Sequence, residues 1–257
     1  MANAVRDPRS VLITGASSGI GAALARAYAA PGVTLFLSGR NAERLEQVAA
    51  AARQSGAQVN TRTLDVDDRE ATAAWVAEAD ATAPLELAIA NAGISAGTGS
   101  GAESAEQARA IFATNLGGVL NTLDPGIERM RERGRGQIAI VSSLAAFRGF
   151  PGAPAYCASK AAVRVWGEAL RGHLADAGIG VSVVCPGFVE TPMTSVNAFP
   201  MPFLMDADRA AWRIKRRLAK DKPRISFPRP LAAAVWLLAA LPPGVTDALL
   251  SRLPAKD

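Results

Sequence analysis

The chain is poor in the residues that most often carry chemistry by themselves: it has two cysteines, one histidine and two tyrosines. Cys157 and Cys185 are too few for a disulfide framework, and no CxxC pair or histidine cluster offers a metal-ligand set. Free thiols and no metal are expected. His173, flanked by Leu170 and Leu174, reads as the side of a helix, which argues against a histidine triad or a histidine-dependent hydride transfer. Residues 1–10 hold Arg6, Asp7, Pro8 and Arg9 without an apolar run, so neither a signal peptide nor an anchor is read there and a cytoplasmic location is expected. The apolar run 231–241 (LAAAVWLLAAL) is eleven residues, short of the roughly 20 needed to span a bilayer.

Interspersed basic and stacking aromatic residues are also missing. The net charge of +5 is local: nine basic residues lie between 209 and 229 against one acid, Asp221. Elsewhere nineteen basic groups face twenty-two acidic ones, a net of −3. That pattern suits a solvated helix face and speaks against a nucleic-acid partner.

With 257 residues, 49% of them apolar and 20% charged, the chain reads as one large globular domain over residues 1–257. Strand-like and helix-like stretches alternate, which predicts a doubly wound α/β fold with a parallel sheet covered on both faces. Residues 10–14 (SVLIT) form a β-branched run that leads into TGASSGIG at 14–21 and an alanine-rich helical stretch through Tyr28. Gly15, Gly19 and Gly21 permit a tight turn there, and the helix start offers unpaired N–H groups to a pyrophosphate. The next strand, 33–38, ends at Gly39-Arg40-Asn41, about twenty residues past the loop, where dinucleotide folds read the adenosine ribose. A carboxylate there would favour NAD; Arg40 instead attracts a 2′-phosphate, so NADP is expected and NAD is the less favoured cofactor.

Residues 42–55 read as a helix with Leu45 and Val48 inward, and 58–65 as a strand closing on Asp65-Val66, where a carboxylate can accept from an adenine amino group. Without that role Asp65 would be a cap for a helix over 67–79. Strand 85–90 ends in Asn91-Ala92-Gly93, small enough to let a ribose lie on the backbone, and the Gly/Ser tract 95–101 reads as a flexible loop. One long helix is expected over 104–130, with Asn115 followed by the costly pair Gly117-Gly118. Either a bend or a polar group that must be reached accounts for that cost. Strand 137–143 delivers Ser143 to the carboxyl edge of the sheet, and strand 179–184 ends in Cys185-Pro186-Gly187.

Tyr156 and Lys160 stand four residues apart, on one helix face. A free phenol loses its proton near pH 10, so it serves as an acid or base at neutral pH only if a cation such as Lys160 stabilises the phenolate. Taken in order, TGASSGIG, NAG at 91, Asn115, Ser143 thirteen residues before the tyrosine, YCASK at 156 and PGFVET at 186–191 resemble the short-chain dehydrogenase/reductase family. The resemblance is to its compact single-domain branch and runs from roughly residue 11 to residue 191.

The resemblance implies that Tyr156 protonates a carbonyl oxygen, that Ser143 hydrogen-bonds it, and that Lys160 lowers the tyrosine pKa and holds the nicotinamide ribose. It further implies that Asn115 orders a relay water. The cofactor would lie along Gly15, Ser17, Ser18, Gly19, Ile20, Arg40, Asp65, Val66, Asn91, Ala92 and Gly93, and against Pro186 and Gly187, with Val189 and Thr191 on the carboxamide.

After Thr191 the chain departs from the family, many members of which end in a short strand and a glycine-containing tail that helps build a tetramer. Here 225–227 is the last strand candidate and about thirty residues follow. A homodimer or higher homo-oligomer is expected. Residues 192–205 occupy the position of a substrate lid, and Met193 and Phe199, with Met201, Phe203 and Leu204, suggest a lipophilic carbonyl or alcohol substrate. Asp206 can cap a helix to 220 with Ala207, Ala211, Ile214 and Leu218 on one face and the arginines outward.

The apolar stretch 231–253 is then buried (Val235, Leu238, Leu249, Leu250), shared with a second subunit, or laid on a membrane, the last giving a peripheral-membrane location. The leading reading is an NADP-dependent oxidoreductase. Its alternatives are a sterol or acyl-chain ketoreductase at a membrane surface, and a catalytically idle nucleotide-sensing scaffold.

Overall fold

The computed structural model describes residues 5–95, 103–197 and 199–250, with only the backbone described at 248 and 249. The elements in chain order are β1 Ser10–Ile13, α1 Gly19–Tyr28, β2 Thr34–Gly39, α2 Ala42–Gln54, β3 Gln58–Thr63, α3 Arg69–Thr82, β4 Leu87–Ala90 and α4 Ala105–Phe112. A π-helical turn, Ala113–Gly117, leads directly into α5 Gly118–Arg133. Then come β5 Gly136–Val141, a 3-10 turn Leu144–Ala146, α6 Pro154–His173, β6 Ile179–Pro186, α7 Ala207–Leu218, β7 Arg224–Phe227, α8 Arg229–Ala240 and α9 Pro243–Leu250.

The seven strands form one parallel sheet in the order β3-β2-β1-β4-β5-β6-β7. Burial follows position in that order. The central strands β1, β4, β5 and β6 are buried at every residue and read as apolar runs, whereas β3, at one edge, is polar (QVNTRT) and mostly exposed. Alternate side chains feed two cores. Val11 and Ile13 pack with Leu24, Leu45, Ile214 and Phe227 on the face covered by α1, α2 and α7; Leu12 packs with Trp75, Leu123 and Val163 on the face of α3, α5 and α6.

The expected elements appear with shifts of a few residues: β3 stops at Thr63 short of Asp65, and β5 at Val141 short of Ser143. The cap of α3 is Asp68, whose carboxylate accepts from Ala71 N at 2.9 Å, so Asp65 is left for the cleft. The single long helix over 104–130 is corrected to α4 and α5 joined through the π turn, because one extra residue is accommodated at 113–117. Gly118 follows from packing: a Cβ there would stand 2.5 Å from Val66 Cγ2. Asp206 caps α7 as expected, accepting from Arg209 N at 2.9 Å, with Ala211, Ile214 and Leu218 buried and Ala207 partly so.

The Gly/Ser tract at 96–101 lies outside the described residues, as do residues 251–253 and the side chain of Leu249. In α8 only Val235 is buried, while Trp236 and Leu237 are more than half exposed; in α9 Leu250 is buried and Val245 is exposed. Of the residues expected to be buried here, Val235 and Leu250 are, and Leu238 is partly so, while the faces carrying Trp236, Leu237 and Val245 stay uncovered. Among the described residues no helix is long and apolar enough to cross a membrane.

Candidate active site

The cleft opens between β1 and β4, where the strand order reverses, and encloses about 490 Å³. Gly15 and Gly19 take positive φ (65° and 54°) to turn the chain from β1 into α1, and a Cβ on Gly19 would lie 2.9 Å from Thr191 Cγ2. Ser18, at the start of α1, makes no side-chain cap, so the first-turn N–H groups of the helix remain for an anion. Asn91 stitches the loop to β4: its Nδ2 donates to Thr14 O at 3.0 Å and Gly15 O at 3.2 Å, and its backbone N–H donates to Thr14 Oγ1 at 3.1 Å.

The end of β2 carries Gly39, Arg40 and Asn41, and no carboxylate. Arg40 Nη1 lies 3.9 Å from Asp65 Oδ2, with both side chains about half exposed. So long and exposed a pair is weak and leaves the guanidinium available to a stronger anion. Arg44 lines the same end from the first turn of α2, which Asn41 caps by accepting from Arg44 N at 2.8 Å. Asp67 accepts from Thr114 Oγ1 at 3.0 Å; burial pushes its carboxyl up, against the pull of that hydrogen bond.

At the other end the π turn holds Asn115 fully buried. Its Oδ1 accepts from Ile94 N at 2.8 Å, and its Nδ2 donates to Ile94 O at 2.9 Å and Ser159 Oγ at 3.1 Å. The side-chain amide is thereby engaged in fixing the backbone after Gly93 against α6. A Cβ on Gly93 would be 3.1 Å from both Asn115 Oδ1 and Lys160 Nζ, which shows how closely these groups converge. Ser143 is extended and accepts from Ala145 N at 3.1 Å, starting the 3-10 turn, while Ser142 Oγ donates to Lys160 O at 2.8 Å and ties β5 to α6.

Lys160 Nζ donates to Val141 O at 2.9 Å and sits 5.9 Å from the centroid of the Tyr156 ring. Burial lowers the lysine pKa to about 8. Burial pushes the Tyr156 hydroxyl up, with the Ser143 hydroxyl opposing it and Cys157 adding to it. The sequence reading has Lys160 pull the tyrosine down; in the structure desolvation dominates both groups and favours the neutral form of each. A neutral phenol is the form that can donate a proton.

Every sequence-predicted cofactor residue lines this cleft, together with Ser143 and Met193. Asn115 stands behind the wall instead of in it. Phe199 departs from expectation: it packs edge-on against Phe188, with ring centroids 6.0 Å apart, and is not among the lining residues. The sequence reading missed Arg44, Ile94, Thr114 and Thr194, all of which line the cleft. Arg44 had a signal, since it lies three residues past a good cap; Thr194, whose Oγ1 donates to Val189 O at 2.6 Å, had none.

The sheet and its cleft define a doubly wound fold of the dinucleotide-binding type. The chain belongs to the short chain dehydrogenase family, whose model matches residues 9–199. It is 39% identical over 246 residues to an uncharacterized oxidoreductase of Myxococcus xanthus, covering 95% of this chain and 97% of that one. A short-chain dehydrogenase from Sphingobium yanoikuyae, solved in complex with NADPH, has a TM-score of 0.79 and 27% identity, over 95% of this chain and 96% of that one. Another from Mycobacterium paratuberculosis, bound to NAD, has a TM-score of 0.77 at 24% identity over 88% and 98% of the chains, a likeness of fold.

Proposed function

We propose that the protein interconverts a carbonyl and an alcohol on a lipophilic small molecule, with NADP preferred over NAD. The observation that carries this reading is one cleft with Arg40 and Arg44 at its far end and Ser143, Tyr156 and Lys160 at the other. The residues fit a dinucleotide: the glycine turn and uncapped α1 start suit a pyrophosphate, and the two arginines suit a 2′-phosphate. When bound, the nicotinamide supplies or accepts the hydride.

In the reducing direction, Tyr156 Oη gives its proton to the substrate oxygen as negative charge develops there. Ser143 Oγ donates a hydrogen bond to the same oxygen, and the Lys160 ammonium stabilises the phenolate that remains. Asn115 keeps the Gly93 backbone and α6 in register, so the lysine and tyrosine stay aligned. Met193, at the cleft, supplies adaptable apolar surface for the substrate. The outward apolar face of α8 and α9 supports assembly with a second copy of the chain; contact with an anionic bilayer is the alternative, and flotation with phosphatidylserine vesicles against light scattering of the purified protein separates them.

Steady-state rates over a panel of ketones and alcohols, read as NADPH absorbance, test the reaction. Arg40→Ala tests the cofactor: a charge-assisted contact worth about 1.5–3 kcal/mol corresponds to roughly ten- to hundred-fold loss of the NADPH-over-NADH preference. Wild-type efficiency with NADH equal to or above that with NADPH refutes the preference.

A further inference from the structure

The helix that carries the catalytic tyrosine begins badly by its own sequence. Ala153, at the N-cap of α6, has no side chain that can cap, and Pro154 at the first helical position has no N–H. Ala155 N is the first donor of the helix, and it is satisfied from far away: it donates to Glu103 Oε2 at 2.6 Å. Glu103 immediately precedes Ser104, which opens α4 with a full capping box, Ser104 Oγ accepting from Gln107 N and Gln107 Oε1 accepting from Ser104 N. The carboxylate is therefore held by one well-capped helix and caps another. Its second oxygen, Oε1, is buried without a hydrogen-bond partner among the described residues, a cost that a surface-exposed cap would not carry.

We propose that Glu103 is a positioning residue that acts as a remote cap for α6 and fixes the first turn in which Tyr156 stands. Tyr156 occupies the third position of the helix, within the turn that frays first, whereas Lys160 lies one turn deeper and is anchored on Val141 and Ser142. Glu103 thus determines the placement of the tyrosine relative to a lysine that holds still without it. The negative end of the carboxylate also meets the positive end of the helix dipole. This inference rests on the reading of Tyr156 as the proton donor, and its consequences for the helix itself do not.

The test compares Glu103→Ala with Glu103→Gln, which keeps an acceptor oxygen. In Glu103→Ala, hydrogen exchange of the amides at 155–157 should accelerate about ten-fold, as loss of a cap predicts, while amides of β5 and β6 stay unchanged. Its kcat should fall by a comparable factor with the NADPH dissociation constant unaltered, and Glu103→Gln should restore most of both. Wild-type exchange and wild-type kcat in Glu103→Ala overturn the proposal, and so does a Glu103→Gln variant as impaired as Glu103→Ala. If Tyr156→Phe proves active while Glu103→Ala still accelerates exchange at 155–157, the cap stands and the catalytic reading falls.

Discussion

α6 and α8 leave the same edge of the sheet and differ in the opposite sense to their hydropathy. α6 buries Ser159 and Lys160 along with Cys157, Val163 and Gly167, while α8, apolar from Leu231 to Ala240, buries Val235 alone. The difference lies in threading. α6 is the crossover between β5 and β6 and must return over the sheet, so even the side chains of Ser159 and Lys160 are enclosed and find partners. α8 follows β7, after which the described residues hold no further strand for it to return to; Leu231 and Ala232 rest on Leu144, Val183 and Cys185, and the far face stays open. Hydrophobicity thus identifies what can be buried, and topology decides what is.

Changes on the two helices can break that contrast. The largest expected effect is Tyr156→Phe on α6, which should lower turnover roughly a thousand-fold with NADP(H) still bound, because the proposed proton donor is lost and the arginine end of the cleft is intact. Near-native rates in that variant would sink the mechanism.

Next is Lys160→Met. Burial holds the lysine pKa at about 8 against 10.5 in the unfolded chain. Between those values the unfolded chain holds the proton that the folded one has lost, so stability rises with pH through this window. Below about pH 8 the burial cost is present in full, about 3 kcal/mol for that shift. Allowing about 1 kcal/mol for the lost hydrogen bond to Val141 O, the Met variant should be the more stable by about 2 kcal/mol at pH 7. That advantage should shrink as pH is raised from about 8 to about 10.5, as read by urea titrations of the protein without added nucleotide. Both cysteines and both tyrosines are common to the two proteins and drop out of the difference. A wild type as stable as the variant at pH 7 contradicts the burial argument.

The smallest effects sharpen the contrast directly. Val163→Ala, at a fully buried site on α6, should cost about 2 kcal/mol, and Leu237→Ala, 59% exposed on α8, less than about 0.5 kcal/mol at low protein concentration. A larger cost at Leu237 that grows with protein concentration places a second copy on that face.

Much of this was legible in the chain. The strand runs, the glycine turn and Asp206 as a cap rest on local chemistry; of the residues expected along the cofactor, Arg40, Asp65 and the stretch Asn91, Ala92 and Gly93 were legible as strand ends, and the others, the glycine turn apart, came with the family resemblance. The π turn was not legible: Asn115 and Gly118 announced a cost, but its cause, the approach of Val66 and the hydrogen bonds to Ile94 and Ser159, is tertiary. The packing of Phe199 on Phe188 was not legible for the same reason, since the apolar composition of 192–205 does not say which ring turns inward. The outward face of α8 follows from its place after β7, which composition does not encode.

The strand order also sets a schedule for synthesis. β1 is flanked by β2, which leaves the ribosome soon after it, and by β4, whose residues 87–90 are made some seventy-five residues later. Until then Val11, Leu12 and Ile13 carry one unpaired backbone edge with apolar side chains on both faces, the kind of edge on which nascent chains associate with one another. The gap in strand order that later admits a nucleotide is thus also the place where the growing polypeptide most needs shielding.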